Sequence, residues 1–204
     1  MSTDERKGFY ITIAPKGDVE LVLQSDLIED MCTYRVSSER LCAASPVFRA
    51  MLGPDSKFSE AVELRRVGRD GNGLCKVNAE CCDPNALAAV LKIFHGCTHD
   101  LPDNIEFKAL VDVAVICDYY DCALAVEYWA EKWIKPWKSY IIEPGYDSWI
   151  LIAKVFKDKA SYSKIASHLI LNCVVENEQL ALVVENVYQT RRKLGEHIPH
   201  VYGT

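Results

Sequence analysis

The chain has 204 residues, half of them hydrophobic and a quarter charged, with a net charge of −6. This balance excludes a disordered chain and suits one folded domain with or without a helical appendage. A nucleic-acid-binding module usually carries a concentrated basic face, and the acidic balance argues against one. The two basic groups are short and are not interleaved with aromatic residues: Arg65, Arg66 and Arg69, and Arg191, Arg192 and Lys193.

Cysteine usage and the amino terminus bear on the compartment. The chain contains nine cysteines, an odd number. Several lie in apolar helical patterns, where a free thiol packs as a small hydrophobic group. Residues 1–8 are polar and charged, no apolar signal segment follows them, and no apolar run approaches the length of a membrane span. These features predict a chain of the cytoplasm, the nucleus or both, without a membrane partner.

Short strands are predicted at four places. Residues 9–14 alternate weakly between apolar and polar side chains, and a turn signal follows them. Residues 19–23 alternate more strongly, which indicates a strand with one buried face. Residues 31–36 form the next strand, and its closeness in sequence indicates a neighbouring pair. Residues 74–78 are predicted as the last strand.

Two short helices in tandem are predicted after residue 36. Ser37 or Ser38 can cap the first, because a hydroxyl accepts a hydrogen bond from an unpaired backbone N–H. The first helix must end near Ser45, since the residue before a proline is pushed away from helical angles. Pro46 then occupies the first position of the second helix, where the missing N–H has no consequence. Residues 53–55, Gly-Pro-Asp, end the pair.

The middle of the chain is predicted as a loop followed, after the fourth strand, by a helix. Residues 65–73 are polar and glycine-rich, which is typical of a loop. Asp83 and Pro84 repeat the cap-and-proline start of a helix. Apolar residues within 87–94 then recur at helical spacing, and Gly96 ends the helix where a left-handed residue is favoured.

The rest of the chain is predicted to be helical throughout. Residues 111–117 are apolar nearly all round, which indicates a central buried helix; another helix spans about 122–134, and Pro136 closes it. The order of elements favours an α+β fold, a small mixed sheet capped by a helical cluster, over a doubly wound nucleotide-binding fold. Three further amphipathic stretches are carried by Trp149, Ile152, Val155 and Phe156; by Tyr162, Ile165 and Leu169; and by Leu180, Val183, Val184 and Val187.

Several of these segments together resemble the BTB/POZ domain. The run from Tyr34 to Leu52, YRVSSERLCAASPVFRAML, is similar to the family's strand end and Ser-Pro-split helix pair. Residues 17–23, GDVELVL, are similar to its first strand. Residues 87–96, LAAVLKIFHG, and 113–123, VAVICDYYDCA, are similar to its third helix and a later helix junction. The resemblance implies a BTB/POZ domain over residues 17–135.

The flanking segments complete this division of the chain. Residues 1–16 form an amino-terminal segment, and residues 136–204 form a carboxy-terminal helical extension. Within that extension, residues 146–172 look like the extension of many fungal members of the family. Ser37 stands where the family usually has a histidine, a change that fungal members often share. The long amino-terminal strand and helix of strand-swapped dimers are missing from the pattern, which puts dimerisation in doubt.

The resemblance also implies a function in protein–protein interaction, with other proteins or a second copy as partner. Family members that serve as adaptors of cullin ubiquitin ligases contact the cullin through a hydrophobic-x-Glu tripeptide after the tandem helices. Phe58, Ser59 and Glu60 match that tripeptide. An apolar anchor and a carboxylate suit docking, whereas the plainer interpretation has Phe58 covering the sheet edge and Glu60 in solvent. An oligomerising scaffold or transcription-associated protein without a ligase link is the alternative function.

Metal binding and catalysis have weaker signals. His95, Cys97 and His99 lie close in sequence, but with Cys75, Cys81 and Cys82 they lack the paired spacing of a zinc site, so no metal or other cofactor is expected. No nucleophile elbow, phosphate-binding loop or dinucleotide fingerprint is present, and an enzyme is not expected. Asp118 and Asp121 suit capping at a helix junction. An aromatic group suits packing more than an interface: Tyr119, Tyr120, Tyr128, Trp129 and Trp133.

Overall fold

The fold is mixed α+β, as the sequence predicts. A computed structural model of the chain describes residues 8–23, 31–70, 73–79, 83–176, 179–183 and 191–193. The chain divides into two compact units, one formed by residues 1–102 and 116–128 and the other by residues 103–115 and 129–204.

The first unit is built on a four-stranded mixed sheet. The strands are β1 (Phe9–Thr12), β2 (Val19–Leu23), β3 (Cys32–Val36) and β4 (Cys75–Ala79), in the spatial order β1-β3-β2-β4. Strand β2 lies antiparallel to β3 and parallel to β4, and β1 lies parallel to β3. Alternate residues of β2, β3 and β4 are buried, which confirms the alternation predicted for 19–23.

The helices described in the first unit are α1 (Ser38–Ala44), α2 (Pro46–Leu52), α3 (Ser59–Asp70) and α4 (Pro84–Phe94). Ser37, one of the two serines expected to cap the first helix, precedes α1 but makes no side-chain cap bond. The predicted division at Pro46 is confirmed, and Ser45 caps α2 by accepting a hydrogen bond from the Phe48 N–H. Asp83 caps α4 in the same way, and Gly96 has the predicted positive φ, 72°.

Helix α3 corrects one prediction. The polar, glycine-rich segment that begins at residue 65 was expected to be a loop, but residues 65–70 form the second half of a twelve-residue helix. Buried Ala61 and Val67 hold this helix against the unit. Gly68 lies on its solvent side, where a glycine lowers helix stability by only about 1 kcal/mol relative to alanine. Tertiary burial therefore outweighs the local loop signal.

Two longer helices contribute residues to both units. Helix α5 (Phe107–Tyr119) is buried along most of its length, at Leu110, Val111, Val113, Ala114, Ile116 and Cys117, which confirms the predicted central helix. A turn with positive φ at Asp121 ends it, and α6 (Ala123–Ile134) follows. None of the helices in the described part of the chain is long and apolar enough to cross a bilayer.

The second unit combines helices with a second, smaller sheet. After α6 come a 3₁₀ helix (Lys135–Tyr140), α7 (Trp149–Val155), α8 (Lys159–Asn172), β5 (Cys173–Glu176), β6 (Gln179–Val183) and β7 (Arg191–Lys193). An aromatic cluster forms part of this unit: the Phe107 ring centroid lies 4.7 Å from that of Tyr146, and Tyr146 stacks on Tyr140 at 5.0 Å.

The prediction that only helices follow the fourth strand is wrong. Leu180 and Val183, expected on an amphipathic helix, lie in strand β6, which pairs antiparallel with β5 and β7. Val184 and Val187 of the same predicted stretch lie outside the described residues. A short run of apolar residues does not decide between a helix and a strand by its spacing alone, which is why Leu180 and Val183 were assigned to the wrong element.

Candidate docking surface

The candidate tripeptide is positioned by the end of α2. The C-cap of α2 is Gly53, whose N–H donates to the Arg49 carbonyl at 2.9 Å. A Cβ built on Gly53 would lie 2.4 Å from the Arg49 oxygen, a contact that real side chains do not make. Glycine is therefore required for the chain to leave the helix so closely.

The segment between α2 and α3 is fixed by hydrogen bonds from both sides. The Ser56 hydroxyl donates to the Met51 carbonyl at 3.1 Å and accepts from the Phe58 N–H at 3.3 Å. From α3, the Arg65 guanidinium donates to the Pro54 and Ser56 carbonyls, both at 2.9 Å. These bonds satisfy backbone acceptors that a loop would otherwise leave to water, and they define where Phe58 emerges.

The sequence predicts that the whole tripeptide lies in a loop, but only Phe58 lies outside a helix. Phe58 directly precedes α3, and its carbonyl accepts from the Val62 N–H at 3.1 Å. Ser59 and Glu60 are the first two residues of the helix, and the Ser59 hydroxyl donates to the Glu60 carboxylate at 2.9 Å. The Glu60 side chain is half-buried, and its backbone carbonyl accepts from the Cys75 thiol at 3.5 Å.

Two large apolar side chains at this end of α3 are exposed. Phe58 is 60% exposed and Val62 is 54% exposed. Phe58 directly precedes the helix and Val62 is its fourth residue, so both lie at its amino-terminal end. Buried Ala61 faces the unit instead. Phe58, Val62 and Glu60 together are named the α3 surface below. The interpretation that Phe58 covers the sheet edge does not fit its exposure.

Sequence reasoning missed Val62. The signal that could have found it is the four-residue spacing from Phe58, which matters only once residues 59–70 are known to be helical. The nearby charges are paired: Arg66 binds Glu63 through two bonds of 2.6 and 2.8 Å, and these lower the pKa of the Glu63 carboxyl. Arg65 is bound to the backbone of the preceding loop. The basic group of residues 65–69 therefore does not present a continuous cationic face.

The residues considered for metal binding are used in other ways. The His95 Nδ1 lies 2.7 Å from the Leu91 carbonyl, and its Nε2 accepts from the Ser37 N–H at 2.9 Å. The Cys97 thiol donates to the Ile13 carbonyl, and Cys75 is buried in β4. Cys81 and Cys82 lie outside the described residues. Among the residues that the structure describes, no group of three His, Cys, Asp or Glu side chains is arranged to hold a metal ion.

The remaining candidates lie around the turn between α5 and α6. Asp118 and Asp121 are exposed there, and the Asp121 N–H donates to the Asp118 carbonyl at 3.4 Å. The aromatic group near this turn is divided between two environments. Tyr120 and Trp133 are 2% and 1% exposed, in keeping with packing, whereas Tyr119 and Tyr128 are 50% and 73% exposed. At the α3 surface, Phe58 of the predicted tripeptide is exposed beside a loop that Arg65 and Ser56 hold through hydrogen bonds.

No protein-family model matches the chain. No curated protein matches it either.

Proposed function

We propose that the chain is a protein-interaction module of the BTB/POZ type that docks a partner protein through the α3 surface. The observation that carries this proposal is the pair of exposed apolar side chains, Phe58 and Val62, on a helix end held in place by Arg65 and Ser56. An apolar anchor whose backbone is already held in position loses less conformational freedom on binding than one that must be ordered.

The BTB/POZ part of the proposal is supported by the sequence and by the order of elements. The chain carries YRVSSERLCAASPVFRAML at residues 34–52, and this segment forms β3, α1 and α2 with the break at Pro46. Residues 17–23, which resemble the family's first strand, contain β2, and β2 pairs with β3. Asp18 directly precedes β2, and its carboxylate accepts hydrogen bonds from the Ser38 N–H at 2.8 Å and from the Ser38 hydroxyl at 2.6 Å.

The partner that the tripeptide favours is a cullin, which would make the chain a substrate adaptor of a ubiquitin ligase. Phe58 would enter an apolar pocket, and the Glu60 carboxylate would meet a basic rim. The Ser59 hydroxyl already bonds the carboxylate and so restricts its rotamers before binding. Val62 would extend the apolar contact by one helical turn.

The test is a calorimetric titration of the chain with a cullin amino-terminal domain. Native chain is expected to bind, and Phe58→Ala is expected to weaken binding by about tenfold or more, as truncation of a hot-spot aromatic does. Leu124→Ala is the matched control, because Leu124 is 82% exposed on a different helix. Absence of binding by native chain rejects the cullin proposal. Equal binding by native chain and Phe58→Ala rejects the α3 surface.

A further inference from the structure

The segment that carries Phe58 is held by hydrogen bonds more than by burial. Of residues 54–58, all but Ser56 are exposed, so apolar packing contributes little to the order of this segment. The Phe58 N–H donates to the Ser56 hydroxyl, and at 3.3 Å this bond is a long one. The position of Phe58 in the free chain therefore depends on polar contacts that reach the segment from elsewhere.

Arg65 supplies such contacts from the middle of α3. Its Nη1 donates to the Pro54 carbonyl at 2.9 Å and to the Gly53 carbonyl at 3.5 Å, and its Nη2 donates to the Ser56 carbonyl at 2.9 Å. A guanidinium can serve several acceptors at once because its donors form a planar, fixed fork. Residues 56–65 thus form a ring that the Arg65 side chain closes, and the whole tripeptide lies inside that ring.

Two arginines that are adjacent in sequence have different roles here. Arg66 forms an ion pair with Glu63 on the surface of α3. Among the described residues, the hydrogen bonds of Arg65 all end on backbone carbonyls, and no carboxylate pairs with it. The charge of Arg66 is thus matched by a neighbour on its own helix, whereas the Arg65 guanidinium is committed to the segment that carries Phe58.

We propose that Arg65 is a positioning residue of the α3 surface, which sets how fast a partner docks without contacting that partner. This inference rests on the proposed function. When the conformation that binds is populated for only part of the time, the apparent affinity falls by that fraction. The hydrogen bonds of Arg65 keep the free chain in the conformation that presents Phe58. Their loss therefore slows association, while the contacts between Phe58 and the bound partner are unchanged.

The first test measures amide hydrogen exchange in the free chain by NMR. The amides of Ser56 and Val62 report on this segment, because both donate to carbonyls within residues 53–58. Arg65→Met keeps much of the side-chain length but has no donor, and it is expected to speed their exchange by about fivefold or more. Arg66→Ala is expected to exchange like native chain, and urea unfolding checks that each variant is folded. Exchange at the native rate in Arg65→Met overturns the proposal.

The second test compares the rates of association with, and dissociation from, a cullin amino-terminal domain immobilised on a sensor surface. Arg65→Met is expected to lower the association rate constant by about fivefold or more and to leave the dissociation rate constant nearly unchanged. Phe58→Ala removes a direct contact and is expected to act mainly by speeding dissociation. A variant Arg65→Met that associates at the native rate and dissociates faster contradicts the positioning role.

A charge-conserving variant separates positioning from electrostatic steering, which also changes association rates. Arg65→Lys keeps the positive charge, but a lysine lacks the planar fork, so it is expected to associate slowly, like Arg65→Met. Association of Arg65→Lys at the native rate assigns the effect to charge and overturns the proposal. Arg66→Ala removes the neighbouring charge and is expected to associate like native chain; an equal slowing in Arg66→Ala has the same consequence.

The two tests keep this inference distinguishable from the choice of partner. If native chain does not bind the cullin domain, the cullin proposal is rejected, and amide exchange in the free chain alone decides whether Arg65 positions Phe58. If native chain binds and Arg65→Met both exchanges and associates like native chain, the docking function stands and the role of Arg65 is rejected.

Discussion

The ring of Phe48 stacks on the ring of Tyr120, with centroids 4.4 Å apart and an angle of 9° between the planes. The Ser45 hydroxyl, buried at the start of the same helix, donates to the Tyr120 carbonyl at 2.6 Å. The proline-split helix pair is therefore anchored to the turn after α5 by one aromatic and one polar contact. The end of α2, and with it the position of Phe58, depends on this anchor.

Two phenylalanines ten residues apart should respond to truncation to very different degrees. Phe48 is 1% exposed and Phe58 is 60% exposed. Phe48→Ala is expected to lower the free energy of unfolding by about 3–5 kcal/mol, the usual effect of removing a buried aromatic ring. Phe58→Ala is expected to change it by no more than about 0.5 kcal/mol. Urea denaturation of both variants measures the difference, and equal effects would contradict the assigned environments.

The two serines that precede the tandem helices form a second matched pair. Ser45→Ala removes two hydrogen bonds of the buried hydroxyl, the cap bond from the Phe48 N–H and the bond to the Tyr120 carbonyl. We expect it to lower the free energy of unfolding by about 2–3 kcal/mol. The Ser37 side chain makes no cap bond with α1, so Ser37→Ala is expected to be nearly neutral. A larger loss at residue 37 than at residue 45 in chemical denaturation would refute this view of the caps.

Much of this anchored region could be predicted from sequence, because its signals are local and covalent. Pro46 fixes a backbone angle and removes a donor, so the break between α1 and α2 follows from one residue. Asp83 and Gly96 mark the ends of α4 for similar reasons. The tripeptide Phe58-Ser59-Glu60 was singled out only through the resemblance to the BTB/POZ family.

The remainder depends on contacts that distant residues make, and the sequence pattern alone does not contain them. Helix α3 forms in spite of Gly68 because Ala61 and Val67 are buried. Because the helix beginning at Ser59 was not predicted, Val62 was not recognised as a residue of the α3 surface. Strand β1 was predicted from its alternation, but the alternation does not show that Phe9 is 59% exposed.

Two glycines should give opposite results when they are replaced by alanine. A Cβ at Gly17 would lie 2.3 Å from the Val36 carbonyl oxygen, and that backbone belongs to the central part of the sheet. Gly17→Ala is therefore expected to destabilise the fold by more than about 1 kcal/mol. A Cβ at Gly68, which lies within α3, would have no atom within 4 Å. Gly68→Ala is therefore expected to stabilise the fold by about 0.5–1 kcal/mol through the higher helix propensity of alanine. Thermal denaturation of the two variants shows the sign of each change.

His95 should make the stability of the chain fall in acid. Its Nε2 accepts from a backbone N–H, and its Nδ1 faces a carbonyl that can only accept, so these partners suit the neutral ring. Burial lowers the pKa of His95 from its ordinary value, and the nearby positive charge of Arg40 lowers it further. Between that lowered pKa and the unfolded value of about 6.5, the unfolded chain binds more protons. The contribution is complete above pH 6.5 and is lost as the pH falls through the folded pKa.

The measurement is the free energy of unfolding in urea at a series of pH values from 8 to 5. Native chain is expected to lose stability as the pH decreases below about 6.5, and His95→Gln is expected to lose less over the same interval. His99→Gln serves as the comparison, because His99 is exposed. An unchanged pH profile in His95→Gln would show that this ring does not titrate with folding.

The most direct measurement of the docking function is amide hydrogen exchange of the chain, alone and saturated with a cullin amino-terminal domain. The account predicts that the amides of residues 56–64 exchange more slowly in the complex than in the free chain. This protection is expected to be smaller for Phe58→Ala at equal concentrations of both proteins. Protection confined to other parts of the chain, with residues 56–64 unchanged while the domain is bound, would contradict it.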